Sequence, residues 1–226
     1  IDARIRTTVD NLADVFRAVD LAAILKNFGQ TTQTEDPMIH FYETFLAEYD
    51  PKLRKARGVW YTPEPVVNFI VRAVDHILKT DFQLPQGLAD ASKTKIKIQE
   101  PGRPKPVERE VHRLQILDPA TGTGTFLASV VNHIYLNHFS AMQGAWSGYV
   151  ENHLIPRLNG FELLMASYAM AHLKLDHLLR QTGYKPQKKQ RFHVYLTNSL
   201  EEVHPYTGTL FAQWLSREAN EANQIK

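Results

Sequence analysis

Asp118, Gly122, Gly124 and Glu162 are the residues of this 226-residue chain whose types and spacing could hold a ligand. The stretch QILDPATGTGTF, residues 115–126, sets an acid and two glycines between one apolar run and the next. Glycines in that setting let a ligand approach the backbone, and the acid can take a cation or a donor. A nucleoside triphosphate loop needs G-x-x-x-x-G-K-S/T. Here Thr125 and Phe126 follow Gly124, and no lysine does. A dinucleotide fingerprint needs G-x-G-x-x-G and an acid about 20 residues later. Leu127 holds the third glycine position, and no acid stands between Asp118 and Glu151. Glu162 lies about twice too far along the chain for that fingerprint.

Other chemistries are poorly supplied. There is no cysteine, which removes disulfides, thiolate metal sites and a cysteine nucleophile. His133 and His138, like His172 and His177, are five apart and fall on different helix faces, so no metal site is expected. Hydrophobic content of 43% against 22% charged residues allows a buried core. A net charge of +2 does not by itself argue for nucleic acid. Lys93, Lys95, Lys97, Arg103, Lys105, Arg109 and Arg113 could track phosphates. Glu100, Glu108 and Glu110 dilute them, and a solvated loop is the expectation. No apolar run is long enough to span a membrane, and no secretory signal is present. The chain begins at Ile1, so it is expected to be a processed or truncated piece.

The elements that must position these residues follow from periodicity. Residues 1–28 and 38–50 read as helices, separated by a polar break and followed by a basic connector over 50–58. A helix starts near residue 62, with Thr62 suited to the N-cap and Pro63 to the first helical position. Its apolar stripe is Val66, Phe69, Ile70, Ala73, Val74 and Ile77. Residues 88–113 read as a long loop holding a strand or hairpin. Then come a strand over 114–117, helices over 125–139 and 149–158, and a stop at Asn159-Gly160. A strand over 161–163, a helix over 165–181, a strand over 191–200 and a weakly anchored helix over 208–226 complete the order. Strands alternating with helices imply a parallel, doubly wound α/β sheet, with ligands outside the carboxyl ends of the strands. Asp118 to Gly124, Glu162 and Thr197 to Leu200 all fall at those ends.

S-adenosylmethionine suits this pattern. It carries no phosphate and needs an acid near its ammonium group, a closely approaching backbone and a second acid for its ribose diol. Asp118, Gly122 with Gly124, and Glu162 can fill those roles in turn. DPATGTGTFL also resembles motif I of amino-group DNA methyltransferases, with Thr121 where the family usually has cysteine. RGVWYTP, residues 57–63, resembles motif X of adenine-N6 methyltransferases, which implies cofactor contacts from Tyr61, Thr62 and Pro63. NGFELLMASYAMAHLKL resembles motif II and puts Glu162 on the ribose. LTNSL resembles motif III and puts Asn198 at the adenine amino edge. HFYETFLAEYDPKLRKARGVWYTP, residues 40–63, looks like the lead-in of large single-chain restriction-modification enzymes of the type ISP or type I-like kind.

The resemblance implies a partial Rossmann-like S-adenosylmethionine-dependent methyltransferase sheet preceded by an all-helical N-terminal segment. It divides the chain into a helical lead-in or coupler over 1–56 and the cofactor-binding part of the methyltransferase over 57–226. The cofactor shell it implies is Tyr61, Thr62, Pro63, Asp118, Pro119, Ala120, Thr121, Gly122, Gly124, Thr125, Phe126, Glu162, Leu163, Asn198, Ser199 and Leu200. Its partners would be double-stranded DNA and the helicase, nuclease and target-recognition domains of the same polypeptide, with no membrane, in a prokaryotic cytoplasm. The target base would be flipped out and methylated on its exocyclic amine. The family's catalytic tetrapeptide, Asp/Asn/Ser-Pro-Pro-aromatic, occurs nowhere in these residues. The expectation is therefore a chain that ends before the catalytic motif, inactive alone, with one sheet edge exposed. A non-catalytic coupling module and a dinucleotide oxidoreductase are the alternatives, and cytosine-N4 as target stays open.

Overall fold

The computed structural model describes residues 62–98, 105–188 and 190–200, with Thr7, Asp10, Asn11, Asp14, Glu218 and Ala222. The chain divides into two compact units, Ile1–Arg57 and Gly58–Lys226. In the first unit the described residues Thr7, Asp10, Asn11 and Asp14 are helical. The helix expected over 38–50 and the basic connector lie outside the described residues. In the expected C-terminal helix only Glu218 and Ala222 are described, and both are helical.

The second unit is of α/β class. Helix α1 spans Glu64–Thr80. Strands β1 (Lys93–Ile98) and β2 (Val107–His112) form an antiparallel hairpin. Strands β3 (Ile116–Asp118), β4 (Leu158–Glu162) and β5 (His193–Leu196) form a parallel sheet in the order β3-β4-β5. Between β3 and β4 run α2 (Thr125–Ile134), continued by a π turn at Tyr135–Phe139, and α3 (Gln143–Tyr149). A further π turn and a 3₁₀ turn carry α3 on to Arg157. Helix α4 (Met165–Gln181) links β4 to β5. Among the described residues no helix is long and apolar enough to cross a membrane.

Four expectations are corrected. Helix α1 begins at Glu64 with an extended Pro63 as its cap residue, and no side chain caps it. The Pro63 carbonyl instead accepts the Val66 and Val67 N–H groups at 2.9 and 3.1 Å. The expected stripe of α1 is also not its buried face: Val66, Phe69, Ile70, Val74 and Ile77 are 39–63% exposed. The buried positions are Val67, Val71, Asp75 and Leu78. Asp75 interrupts that face in sequence, but its carboxylate accepts the Leu88 N–H at 2.8 Å and the Lys79 ammonium at 2.6 Å. A charged residue satisfied in this way is compatible with burial.

The helix expected over 149–158 starts six residues earlier, at Gln143. Asn159-Gly160 does not stop it but lies inside β4, whose five residues are all buried. Asn159 Nδ2 donates to the Ile116 and Arg157 carbonyls at 3.2 and 3.1 Å. An alanine Cβ at position 160 would lie 2.4 Å from Thr121 Oγ1 and 3.0 Å from Leu127 Cδ1. The pair is a packing requirement, not a turn. In the core beside it Trp146 is fully buried, donates to Thr182 Oγ1 at 2.9 Å and packs on Tyr135, Phe139 and Tyr149.

The hairpin carries an ion-pair ladder, Lys93–Glu110 at 3.3 Å and Lys95–Glu108 at 3.0 Å, so its lysines face acids on their own surface. Two-stranded hairpins are marginal without support. One support is the contact of His112 Nε2 with His153 Nδ1 at 3.1 Å, the rings edge to face. Burial holds both imidazoles below their ordinary value. At His112 the neighbours His153, Arg157 and Lys93 add to this and Glu110 opposes it; at His153 Lys93 and Arg157 add. Arg157 itself is fully buried, its guanidinium donating to the Leu88 carbonyl at 2.6 Å and to the Tyr149 hydroxyl.

Gly160→Ala should destabilise the unit by about 1–3 kcal/mol, the usual cost of overpacking. Adding Thr121→Ala should recover part of it. Urea unfolding measures both, and a Gly160→Ala chain as stable as the parent would contradict the close crossing. Because both histidines titrate below the unfolded value of 6.5, the unfolded chain binds more protons on acidification. Their contribution is therefore present above pH 6.5 and lost as pH falls toward their folded values. Thermal melts from pH 8 to 5 should show a decline that is smaller in His112→Gln.

Candidate functional site

Three loops meet at the carboxyl ends of β3, β4 and β5. The first runs from Asp118 to Thr125. Gly122 and Gly124 both adopt left-handed φ, +55° and +81°, which glycine takes without strain. Around a Cβ at Gly122 there would be open space, whereas at Gly124 it would meet the Ala171 backbone at 3.2 Å. Gly122 therefore leaves an approach open, while Gly124 lets α2 start against α4. The Thr121 side chain is buried, and its hydroxyl donates to the Asp118 carbonyl at 3.0 Å. Its N–H donates to the Phe161 carbonyl at 2.9 Å, which lays the loop along the end of β4.

The two acids differ in their partners. Glu162 is 9% exposed, and both carboxylate oxygens are engaged. Oε2 accepts the Gly122 N–H and Oε1 the Leu164 N–H, each at 2.7 Å. Asp118 is half-buried. Its Oδ1 accepts the Ala120 N–H at 3.1 Å, while Oδ2 is enclosed and accepts no hydrogen bond among the described residues. Burial pushes the Asp118 carboxyl above its ordinary value; the Ala120 N–H opposes this and the Glu162 carboxylate reinforces it. A buried acceptor without a partner, beside a loop open at Gly122, suits a ligand that brings a cation or a donor.

The third loop follows β5. The Thr197 N–H donates to the Glu162 carbonyl at 2.9 Å. The Ser199 hydroxyl donates to the Pro119 carbonyl, which joins this loop to the first. Asn198 Oδ1 accepts the Leu200 N–H at 3.0 Å, the closed turn that its residue type favours. Leu163 and Leu200 are 61% and 92% exposed. Thr125 Oγ1 accepts from the Lys174 ammonium at 3.2 Å.

The structure thus brings together Asp118, Pro119, Ala120, Thr121, Gly122, Glu162 and Ser199. Tyr61 lies outside the described residues. Thr62 and Pro63 stand at the start of α1, whose Ile70, Val71 and Val74 line an apolar cavity of about 280 Å³ with Asp118, Pro119 and Phe126. The contribution of Gly160 and Lys174 was not expected from sequence, whereas Ser199 was expected in the shell and the structure adds its tie to the Pro119 carbonyl. The only signal for Gly160 was a glycine beside an apolar strand, and the Asn-Gly dipeptide masked it as a turn.

A model of the N-6 DNA methylase family matches residues 33–213. No curated protein sequence matches the chain. Among solved structures the chain is similar to a DrdV–DNA complex studied by electron cryomicroscopy. The identity is 22% and the TM-score 0.55, over 99% of this chain and 20% of that one. It is similar to a nuclease-deletion mutant of the Type ISP restriction-modification enzyme LlaGI in complex with a DNA substrate mimic, at 18% identity and TM-score 0.53. That match covers 95% of this chain and 16% of the other. It is also similar to the ATP-dependent Type ISP restriction-modification enzyme LlaBIII bound to DNA, at 22% identity and TM-score 0.52, over 73% and 9% of the two chains. The chain spans a fifth or less of the length of each, and at these identities the likeness is one of fold.

An Asp with a raised folded pKa binds its proton more tightly in the fold, so its ionisation costs stability at neutral pH. Asp118→Asn should therefore melt higher than the parent at pH 7 without ligand. The difference should close as pH falls through the Asp118 value to below 3.8, where the parent is protonated in both states. A variant that melts lower at pH 7 would show that the carboxylate is satisfied.

Proposed function

Because the chain belongs to the N-6 DNA methylase family, we propose that it forms the cofactor-binding part of a DNA methyltransferase acting on the exocyclic amine of adenine. The structural observation that carries this reading is the pair of acids at adjacent strand ends, Asp118 with a buried unpartnered oxygen and Glu162 across the left-handed Gly122. Strand-end acids beside a glycine loop also serve dinucleotides. Family membership and the absent third glycine favour the methyl donor.

S-adenosylmethionine, when bound, supplies a methyl group on a sulfonium centre. The chain's residues fit it: Asp118 would face the ammonium group, the backbone at Ala120 to Gly124 would lie along the ligand, and Glu162 would accept from the ribose diol. Tyr61, Thr62 and Pro63 would close over the methionine end, and Asn198, Ser199 and Leu200 would flank the adenine. The positive end of α2, at Thr125 and Phe126, faces the same loop. The Pro-Pro tetrapeptide that would grip a flipped base is not in these residues, so this chain by itself should bind the cofactor without turnover.

The DNA-bound proteins of similar fold, two of them Type ISP restriction-modification enzymes, support double-stranded DNA as the eventual partner of a longer polypeptide. In it residues 1–56 would couple helicase and nuclease domains to the methyltransferase over 57–226, with target recognition placed elsewhere.

Titration calorimetry of the chain with S-adenosylmethionine should show one site. Asp118→Ala and Glu162→Ala should each weaken it by tenfold or more, which corresponds to about 1.4 kcal/mol. Tight binding of a nicotinamide dinucleotide at the same residues would sink the reading.

A further inference from the structure

We infer that Glu162 is a positioning residue for the glycine loop in addition to facing the ligand: its carboxylate ties Gly122 to Leu164 before any ligand arrives. The ligand side of this inference rests on the S-adenosylmethionine reading above; the tie itself does not. Gly122 has no side chain, and a Cβ there would touch nothing, so packing at that residue does not hold the loop. Its N–H donates to Glu162 Oε2 at 2.7 Å across 40 residues of chain. Leu164 is the cap residue of α4, where backbone donors lack helical partners. Its N–H donates to Glu162 Oε1 at 2.7 Å. Hydrogen bonds to an ionised acceptor are about twice as strong as neutral ones. The Glu162 backbone carbonyl takes the Thr197 N–H as well, so this one residue touches all three strand-end loops.

The two tasks are compatible. A carboxylate offers about four lone-pair positions, and the two backbone donors occupy half of them. The rest stay available to a ribose diol. A consequence separates this reading from a simple ribose contact. If Glu162 served the diol alone, a ligand without hydroxyls would be indifferent to its replacement. If Glu162 also sets the loop, that ligand must lose affinity too, because Gly122 no longer stands where the ligand needs it.

The test uses the full chain and Glu162→Gln, which keeps the side-chain volume but has one acceptor oxygen, so one of the two N–H groups loses its partner. Both proteins are titrated with S-adenosylhomocysteine and with its 2′,3′-dideoxy analogue, and amide hydrogen exchange is followed by NMR without ligand. Glu162→Gln should weaken the dideoxy analogue by about fivefold or more. It should also speed exchange at Gly122 or Leu164 by about tenfold, with Gly124 and Ala128 little changed. Unchanged affinity for the dideoxy analogue, or unchanged exchange at both amides, would overturn the inference. Should the parent chain bind neither nucleoside, the cofactor reading fails, and the exchange rates alone decide whether Glu162 holds the loop.

Discussion

The loop after β3 lies against the end of β4, and that contact requires position 160 to carry no side chain. With Thr121 seated over Gly160, the Thr121 N–H reaches the Phe161 carbonyl. The next residue, Gly122, then comes within a short hydrogen bond of Glu162. The first loop in turn offers the Pro119 carbonyl to Ser199, which brings in the third loop. Each link has a backbone group on at least one side, with the Glu162 carboxylate and the Ser199 hydroxyl completing two of them. A site whose backbone is held by such hydrogen bonds at the strand ends limits the ordering that binding must impose.

The acids illustrate how one residue type is used for structure and for function. Asp75 is 5% exposed, yet it accepts the Leu88 N–H and the Lys79 ammonium. It fixes α1 to the turn at Gly87–Ala89 and leaves nothing unsatisfied that a ligand would answer. Asp118 has one N–H partner and one enclosed oxygen without any. Its neighbour Glu162 adds like charge. Local rules of satisfaction are kept at the first acid and broken at the second, and breaches of this kind concentrate at functional sites.

Much of the site could be read along the chain. The acid, the two glycines and the strand-end acid were identified from residue types and their order, and the alternating strands and helices made a parallel sheet the natural frame. The misses have specific causes. Helix α1 is apolar around most of its circumference, and the more regular stripe proved to be the exposed one. Its buried face includes Asp75, which no hydropathy pattern would place inside. Asn159-Gly160 has the composition of a turn, yet Asn159 is buried between carbonyls and Gly160 lies under a threonine. The acids expected to dilute the basic residues of this segment do so through diagonal ion pairs, Lys93–Glu110 and Lys95–Glu108, each two residues off the facing position.

The sequence by itself determined what depends on short chain separations. The glycines at 122 and 124 permit left-handed backbone within a few residues of Asp118, and the runs that resemble the family's motifs are contiguous. Tertiary structure alone decided which groups meet across 40 or 80 residues: Glu162 with Gly122, and Ser199 with Pro119. The physical reason lies in range. Dihedral preference and hydrophobic period are local properties, whereas a hydrogen bond between loops exists only after the strands have paired and their ends stand side by side.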